Sequence, residues 1–201
     1  MSERAFLDVD TQVDFVEPGG ALYAQGAEAI KPNLARLVEH ARARGIPLVS
    51  SVDAHAPGDD EFSQFPPHCL RGTPGQGKVP ESSSAAMVFV PSAPGASLPD
   101  PTACHAVLEK QQFSLFTNPN AERLLRATGA ETFVVFGVVT EVCVRQAALG
   151  LLERGLGVEL VEDAIWPIDR ARGAETLREL EARGARLVTT TEVLAASSVS
   201  A

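Results

Sequence analysis

Four times along this chain a helix with one apolar stripe stops at a glycine, and a strand begins within three residues. Ile30 to Arg44 stops at Gly45 before Ile46–Val52. Ala121 to Thr128 stops at Gly129 before the strand at Thr132. Val142 to Arg154 stops at Gly155 before Val158–Val161, and Ile168 to Arg183 stops at Gly184 before Arg186–Thr189. Glycine past a helix end supplies the left-handed residue that closes the last turn. Helix, glycine, strand in repetition predicts a doubly wound α/β sandwich with a mostly parallel central sheet, helices covering both faces. The unequal repeat lengths exclude a solenoid. At 201 residues and 45% hydrophobic, the chain suits one domain over 1–201.

The stretch Thr132–Leu152 is the centre of this pattern. Thr132 to Val139 is β-branched and aromatic without a charge, which predicts a strand buried on both faces. Val144, Ala147, Ala148, Leu151 and Leu152 then form one helical stripe, and Glu141 and Arg145 are spaced to pair on the other side. Thr140 is the expected N-cap, so Cys143 is expected in the first helical turn. Unpaired backbone N–H groups and the helix dipole favour a thiolate there. Alone, such a cysteine reads first as a small buried apolar residue, and the rest of the chain has to overturn that.

A formal charge of -9 makes nucleic acid and anionic membrane poor partners. No apolar run is long enough to span a bilayer. The N-terminal residues enter a strand with no signal-peptide layout, and the three cysteines, Cys69, Cys104 and Cys143, are sparse and odd in number. The expectation is a reduced, cytoplasmic protein. A homo-oligomer stays open.

Ala5 to Val9 reads as a strand followed by Asp10 and Asp14, acids at the carboxyl end where open α/β sheets keep their sites. Asp10 is expected as a turn or cap residue. From Asp53 to Pro101 the rhythm breaks into a Pro-, Gly- and Ser-rich insertion in which only Ala86–Val90 reads as a strand; so long a loop is usually functional. It opens with Asp53-Ala54-His55, whose first and third residues face one way if extended, and His68 follows in the same loop. Two histidines and an aspartate make a three-ligand set with open positions, suited to one divalent ion such as Zn, Fe or Mn. Gly72–Val79 nearly matches a phosphate-binding loop, but Val79 stands where Ser or Thr is needed and neither strand nor helix flanks it. Val107 to Gln112 is expected as a strand, with Lys110 at the same sheet edge as Asp14 and Cys143. An ammonium lowers a nearby thiol's pKa and a carboxylate takes its proton. The tail Ala195–Ala201 is expected to fray.

With these residues assembled, the chain resembles the isochorismatase-like cysteine hydrolases, and among them the nicotinamidases. The likeness runs through Asp8–Phe15, Gly19–Leu22, Asp53–His55, Phe65–Gln76, Glu109–Phe116 and Phe136–Val144, in family order. It implies Asp14, Lys110 and Cys143 as a catalytic triad, and Asp53, His55 and His68 as metal ligands, two sets that share no residue. It implies a cis peptide at Val138–Val139, with the backbone N–H groups of Val139 and Cys143 as oxyanion hole. Phe15 and Phe65 would flank a flat ring. Two positions depart from the nicotinamidase pattern: Ala54 stands where an aromatic is common, and Phe65 where Trp is frequent. The implied activity is hydrolysis of nicotinamide to nicotinate and ammonia, in NAD salvage. The alternatives are a metal-free hydrolase of the same family acting on another small amide or a vinyl ether, and a non-catalytic binding protein on the same fold.

Overall fold

The computed structural model describes residues 4–196. Seven strands form one sheet: β1 (Arg4–Val9), β2 (Leu48–Asp53), β3 (Met87–Val90), β4 (His105–Lys110), β5 (Thr132–Val138), β6 (Gly157–Trp166) and β7 (Arg186–Val188). Their spatial order is β3-β4-β2-β1-β5-β6-β7, and every neighbouring pair is parallel. Alternating side chains explain why the middle strands carry so little charge. Phe133 and Val135 enter one apolar cluster with Leu7, Leu108 and Leu151, while Val134 and Phe136 enter the other with Phe6, Leu34 and Leu37. Each large side chain so buried contributes roughly 1.5–3 kcal/mol.

The helices are α1 (Val13–Val16), α2 (Lys31–Arg44), α3 (Ala121–Ala127), α4 (Arg145–Leu152), α5 (Arg170–Ala182) and α6 (Thr190–Ala196). All four helix–glycine–strand units are present. Gly45, Gly129, Gly155 and Gly184 adopt positive φ of 63, 70, 74 and 102°. Among the described residues no helix is long and apolar enough to cross a membrane.

Several boundaries differ from the sequence expectation. Residues Thr140–Val144 form a single π-helical turn ahead of α4, and its cap is Val139; Thr140 Oγ1 is buried without a hydrogen-bond partner. Glu141 and Arg145 do not pair. Glu141 accepts the N–H groups of Ile168 and Asp169 (3.1 and 2.8 Å), and Arg145 pairs with Glu179 on α5. Tertiary partners outweigh an exposed i,i+4 pair, which is worth only a few tenths of a kcal/mol. The strand expected over Val158–Val161 runs on to Trp166. Ala195 and Ala196, expected to fray, end α6; residues 197–201 lie outside the described residues. Gly137 lies where β5 meets β1: a Cβ there would sit 2.1 Å from the Val9 carbonyl oxygen.

The insertion is irregular, with short 3-10 turns at Asp60–Ser63, Pro74–Gln76 and Pro80–Ser82. It is fastened to the sheet by a buried polar group. Lys78 Nζ lies 2.5 Å from Asp8 Oδ2 and 2.8 Å from Thr11 Oγ1. Ser50 Oγ donates to Asp8 Oδ2 (3.0 Å) and lies 2.6 Å from His105 Nε2, so it accepts that ring's proton; Ser84 Oγ lies 3.2 Å from Nδ1. Burial, helped by the Lys78 and Arg42 charges, pushes the His105 pKa down to about 3.

Lys78→Met should therefore strand the Asp8 carboxylate and cost about 3–5 kcal/mol, read as a lower urea midpoint; Lys78→Met/Asp8→Leu should recover much of it. His105 adds a pH dependence of known sign. Below its ordinary pKa of 6.5 the unfolded imidazole binds a proton that the folded one refuses down to about pH 3. Its contribution is thus intact above 6.5 and is lost as pH falls through that window, at up to about 1.4 kcal/mol per pH unit. Urea titrations between pH 4 and 7 should show a shallower slope in His105→Gln.

Candidate active site

Four adjacent strands, β4, β2, β1 and β5, end at one mouth. Asp53 and Lys110 are the last residues of β2 and β4 and pair directly in register. Asp10 follows β1 by one residue, in a left-handed conformation (φ 50°), and its N–H donates to the Ser51 carbonyl (3.1 Å). Cys143 lies in the π turn after β5. The Val138–Val139 peptide just before that turn is cis, as the family resemblance implied.

Lys110 is fully buried, and its Nζ is the hub. It lies 2.5 Å from Asp53 Oδ1, 2.8 Å from Asp10 Oδ2 and 3.5 Å from Cys143 Sγ. Burial works against the ammonium, but Asp10 and Asp53 outweigh it and raise its pKa well above the ordinary lysine value. An Asp10 carboxylate oxygen and the Cys143 sulfur lie within 4.8 Å of each other. Burial raises the thiol's pKa; the pull of Lys110 is opposed by Asp10 and Asp53. Burial thus opposes the thiolate that the helix end and the ammonium are expected to favour.

Asp14 is not in this group. Its carboxylate accepts the N–H groups of Ala21 (3.0 Å) and Cys69 (2.7 Å), tying two loops together. Gly75 packs so closely on it that a Cβ there would lie 2.2 Å from Oδ2. The place against Lys110 and Cys143 expected for Asp14 is held by Asp10. The signal was in the spacing: Asp10, Asp53 and Lys110 stand at the very ends of their strands, and Asp14 is four residues further, inside α1.

Asp53, His55 and His68 come together as expected, with one potential ligand atom from each all within 4.8 Å of one another. His68 Nδ1 lies 2.8 Å from the Pro66 carbonyl oxygen, which fixes that nitrogen as donor and leaves Nε2 its lone pair. His55 Nδ1 lies 3.1 Å from Asp59 Oδ2, and its Nε2 is 3.9 Å from Asp53 Oδ2. Both Nε2 atoms are buried without hydrogen-bond partners. Orphaned acceptors converging beside a carboxylate are what a divalent ion would satisfy, so the residues fit a metal. Glu61 Oε1, which the sequence did not single out, is 3.6 Å from His68 Nε2, and burial raises its pKa. Burial also pushes Asp53 up to about 7, although Lys110 opposes it. The two sets share no residue but are in contact, because Asp53 touches Lys110 through Oδ1 and faces His55 through Oδ2.

Between these groups lies a cavity of about 30 Å³ whose walls include Phe15, Phe65, His68, Phe113, Cys143 and Ile168. Phe15 tilts against His68 with ring centroids 5.3 Å apart, and Phe65 meets Phe113 edge-on at 6.1 Å. Phe113, three residues past Lys110, completes an aromatic wall; it lies within the Glu109–Phe116 stretch, where it had no expected role.

Residues 4–192 match the isochorismatase domain family. The chain is 30% identical over 201 residues to the nicotinamidase/pyrazinamidase of Mycobacterium tuberculosis, covering 92% of this chain and 98% of that one. It is also 30% identical over 154 residues to a probable inactive nicotinamidase of Arabidopsis thaliana, covering 73% of each. The crystal structure of Pyrococcus horikoshii pyrazinamidase in complex with zinc superposes with a TM-score of 0.78 at 28% identity, over 94% of this chain and 99% of that one. With a matching fold, a match over nearly the whole described chain and a thiol, a lysine and two carboxylates at four strand ends, this chain belongs to the isochorismatase family of hydrolases.

Proposed function

We propose that this hydrolase is a metal-assisted cysteine amidase that cleaves nicotinamide to nicotinate and ammonia. The observation that carries the reading is the Lys110 ammonium in contact with Asp10, Asp53 and Cys143, one residue away from a pair of imidazole nitrogens without hydrogen-bond partners. One relative of equal identity is named a probable inactive nicotinamidase, and this chain's own residues carry the reading.

Asp10 takes the thiol proton as Cys143 Sγ attacks the carboxamide carbon, with Lys110 steadying the charge on both. The developing oxyanion rests on the backbone N–H groups of Val139 and Cys143. As the C–N bond breaks, Asp10 passes the proton to departing ammonia and a thioester remains. Asp10 then takes a proton from water, the water oxygen bonds the acyl carbon, the C–S bond breaks, and the proton returns to sulfur. Held by Asp53, His55 and His68, a divalent ion supplies a Lewis-acid position for the pyridine nitrogen. Phe15, Phe65 and Phe113 give a flat ring its walls. No lysine or arginine is among the residues lining the cavity, so nothing there would neutralise a substrate carboxylate. The cavity has room for about two waters, so a ring enters by displacing side chains at the mouth, where Ile168 is 51% exposed.

The assignment of Asp10 separates two variants. Asp10→Asn should lower kcat by about 10³ or more in an ammonia-release assay. Asp14→Asn should instead loosen the two loops, lowering Tm and raising KM while kcat stays within about tenfold. Equal loss of kcat in both would return the role to Asp14.

The substrate reading is checked with two amides of one shape. Nicotinamide should exceed benzamide by more than about tenfold in kcat/KM for the metal-loaded protein. Chelation or His55→Ala should erase the difference, chiefly through the KM for nicotinamide. Equal values with metal present would leave a general amidase.

A further inference from the structure

We infer that Ser51 is a positioning residue that sets which oxygen of Asp10 meets the thiol. The inference rests on the reading of Asp10 as the proton carrier. Ser51 is fully buried on β2 and pairs with Val9, the residue before Asp10. It holds Asp10 at two points. Its carbonyl accepts the Asp10 N–H at 3.1 Å, which steadies the left-handed turn. Its hydroxyl donates to Asp10 Oδ1 at 2.7 Å. That leaves Oδ2 for Lys110, 2.8 Å away, and for the proton it must carry.

The need for such a clamp follows from the carboxylate itself. Its terminal torsion is broad and two-fold, so the backbone alone does not choose the oxygen or the plane. Lys110 attracts both oxygens as a point charge and imposes no plane. Asp10 has to serve sulfur, the leaving nitrogen and a water in turn, and a misplacement of about 1 Å can cost about a hundredfold. A hydroxyl on Oδ1, coming from the neighbouring strand, fixes the plane before substrate arrives. Ser51 is not among the residues lining the cavity, and its hydroxyl donates to Asp10.

Threonine and valine at position 51 have the same shape and differ only in the hydroxyl. Ser51→Thr should keep kcat within about threefold, while Ser51→Val lowers it by about a hundredfold with KM within about twofold and the same bound metal. A merely structural role would move both variants together, in step with Tm. A second reading needs no amide turnover: the rate at which iodoacetamide labels Cys143, followed by peptide mass, should fall about tenfold in Ser51→Val but not in Ser51→Thr. Should β-branching prevent folding, Ser51→Ala is compared with Ser51→Cys by the same labelling, and Ser51→Ala should be slowed by the same factor. Unchanged or faster labelling of Cys143 without the hydroxyl overturns the inference. Slowed labelling in a protein that cleaves no amide would uphold it and reject the proposed function instead.

Discussion

The whole mouth of the sheet is arranged around one buried ammonium. Taking a lysine charge out of water costs several kcal/mol even after relaxation, and only close counter-charges return it. Lys110 has two, Asp10 and Asp53, with the Cys143 sulfur at 3.5 Å. Bringing them together requires β4, β2 and β1 to lie side by side, parallel, with their carboxyl ends level. The register does this: Asp53 pairs with Lys110, and Asp10 follows Val9, which pairs with Ser51. A slip of two residues would keep every side chain on its face and still carry a charge about 6.6 Å away. The strand order and the chemistry are thus one constraint.

The insertion, though irregular, is seated by backbone pairing of a kind that a regular strand would supply. The Gln12 side-chain amide donates to the Asp53 carbonyl (2.9 Å) and accepts its N–H (2.6 Å), standing in for a strand residue; its Nε2 also donates to the Gln76 carbonyl (2.8 Å). His55 and Leu70 form an isolated parallel bridge. Asp14 draws in the Cys69 N–H, and Lys78 closes the loop onto Asp8 beneath. His68 therefore reaches His55, its ring 4.8 Å away, although thirteen residues separate them in sequence. These ties are isolated contacts between single residues, so they leave no periodic trace.

That contrast explains what could be read from the chain. The parallel sheet, its glycine-stopped helices and the positions of Lys110 and Cys143 follow from hydrophobic period and turn chemistry, which act locally. Asp53, His55 and His68 were legible because their types and spacing suit a metal wherever the loop goes. Asp14 was expected beside Lys110 because two acids stand four residues apart after β1; the structure puts Asp10 there, directly after the strand end. The π turn around Cys143 escaped for a related reason. Its bond from the Val144 N–H to the Val139 carbonyl, 3.1 Å, adds one residue to a turn without changing the apolar stripe behind it. Glu61 and Phe113 become visible only when the loops are folded.

Asp53 shows why position 53 carries a carboxylate and not a third imidazole. On the metal side alone, another histidine would serve as well. On the other side, Lys110 would then face Asp10 as its single carboxylate, and a buried ammonium with half its counter-charge removed is a costly arrangement. One residue with two acceptor oxygens meets both demands: Oδ1 lies 2.5 Å from the Lys110 nitrogen, and Oδ2 turns toward His55. Burial holds its pKa up to about 7 against the pull of Lys110. A cation bound at Oδ2 favours the ionised carboxyl, so the arrangement is most fully charge-matched with metal and lysine both in place. Under the proposed function, metal and thiol would be neighbours through a shared anion, and a variant at Asp53 would disturb two functions where one at His55 would disturb one.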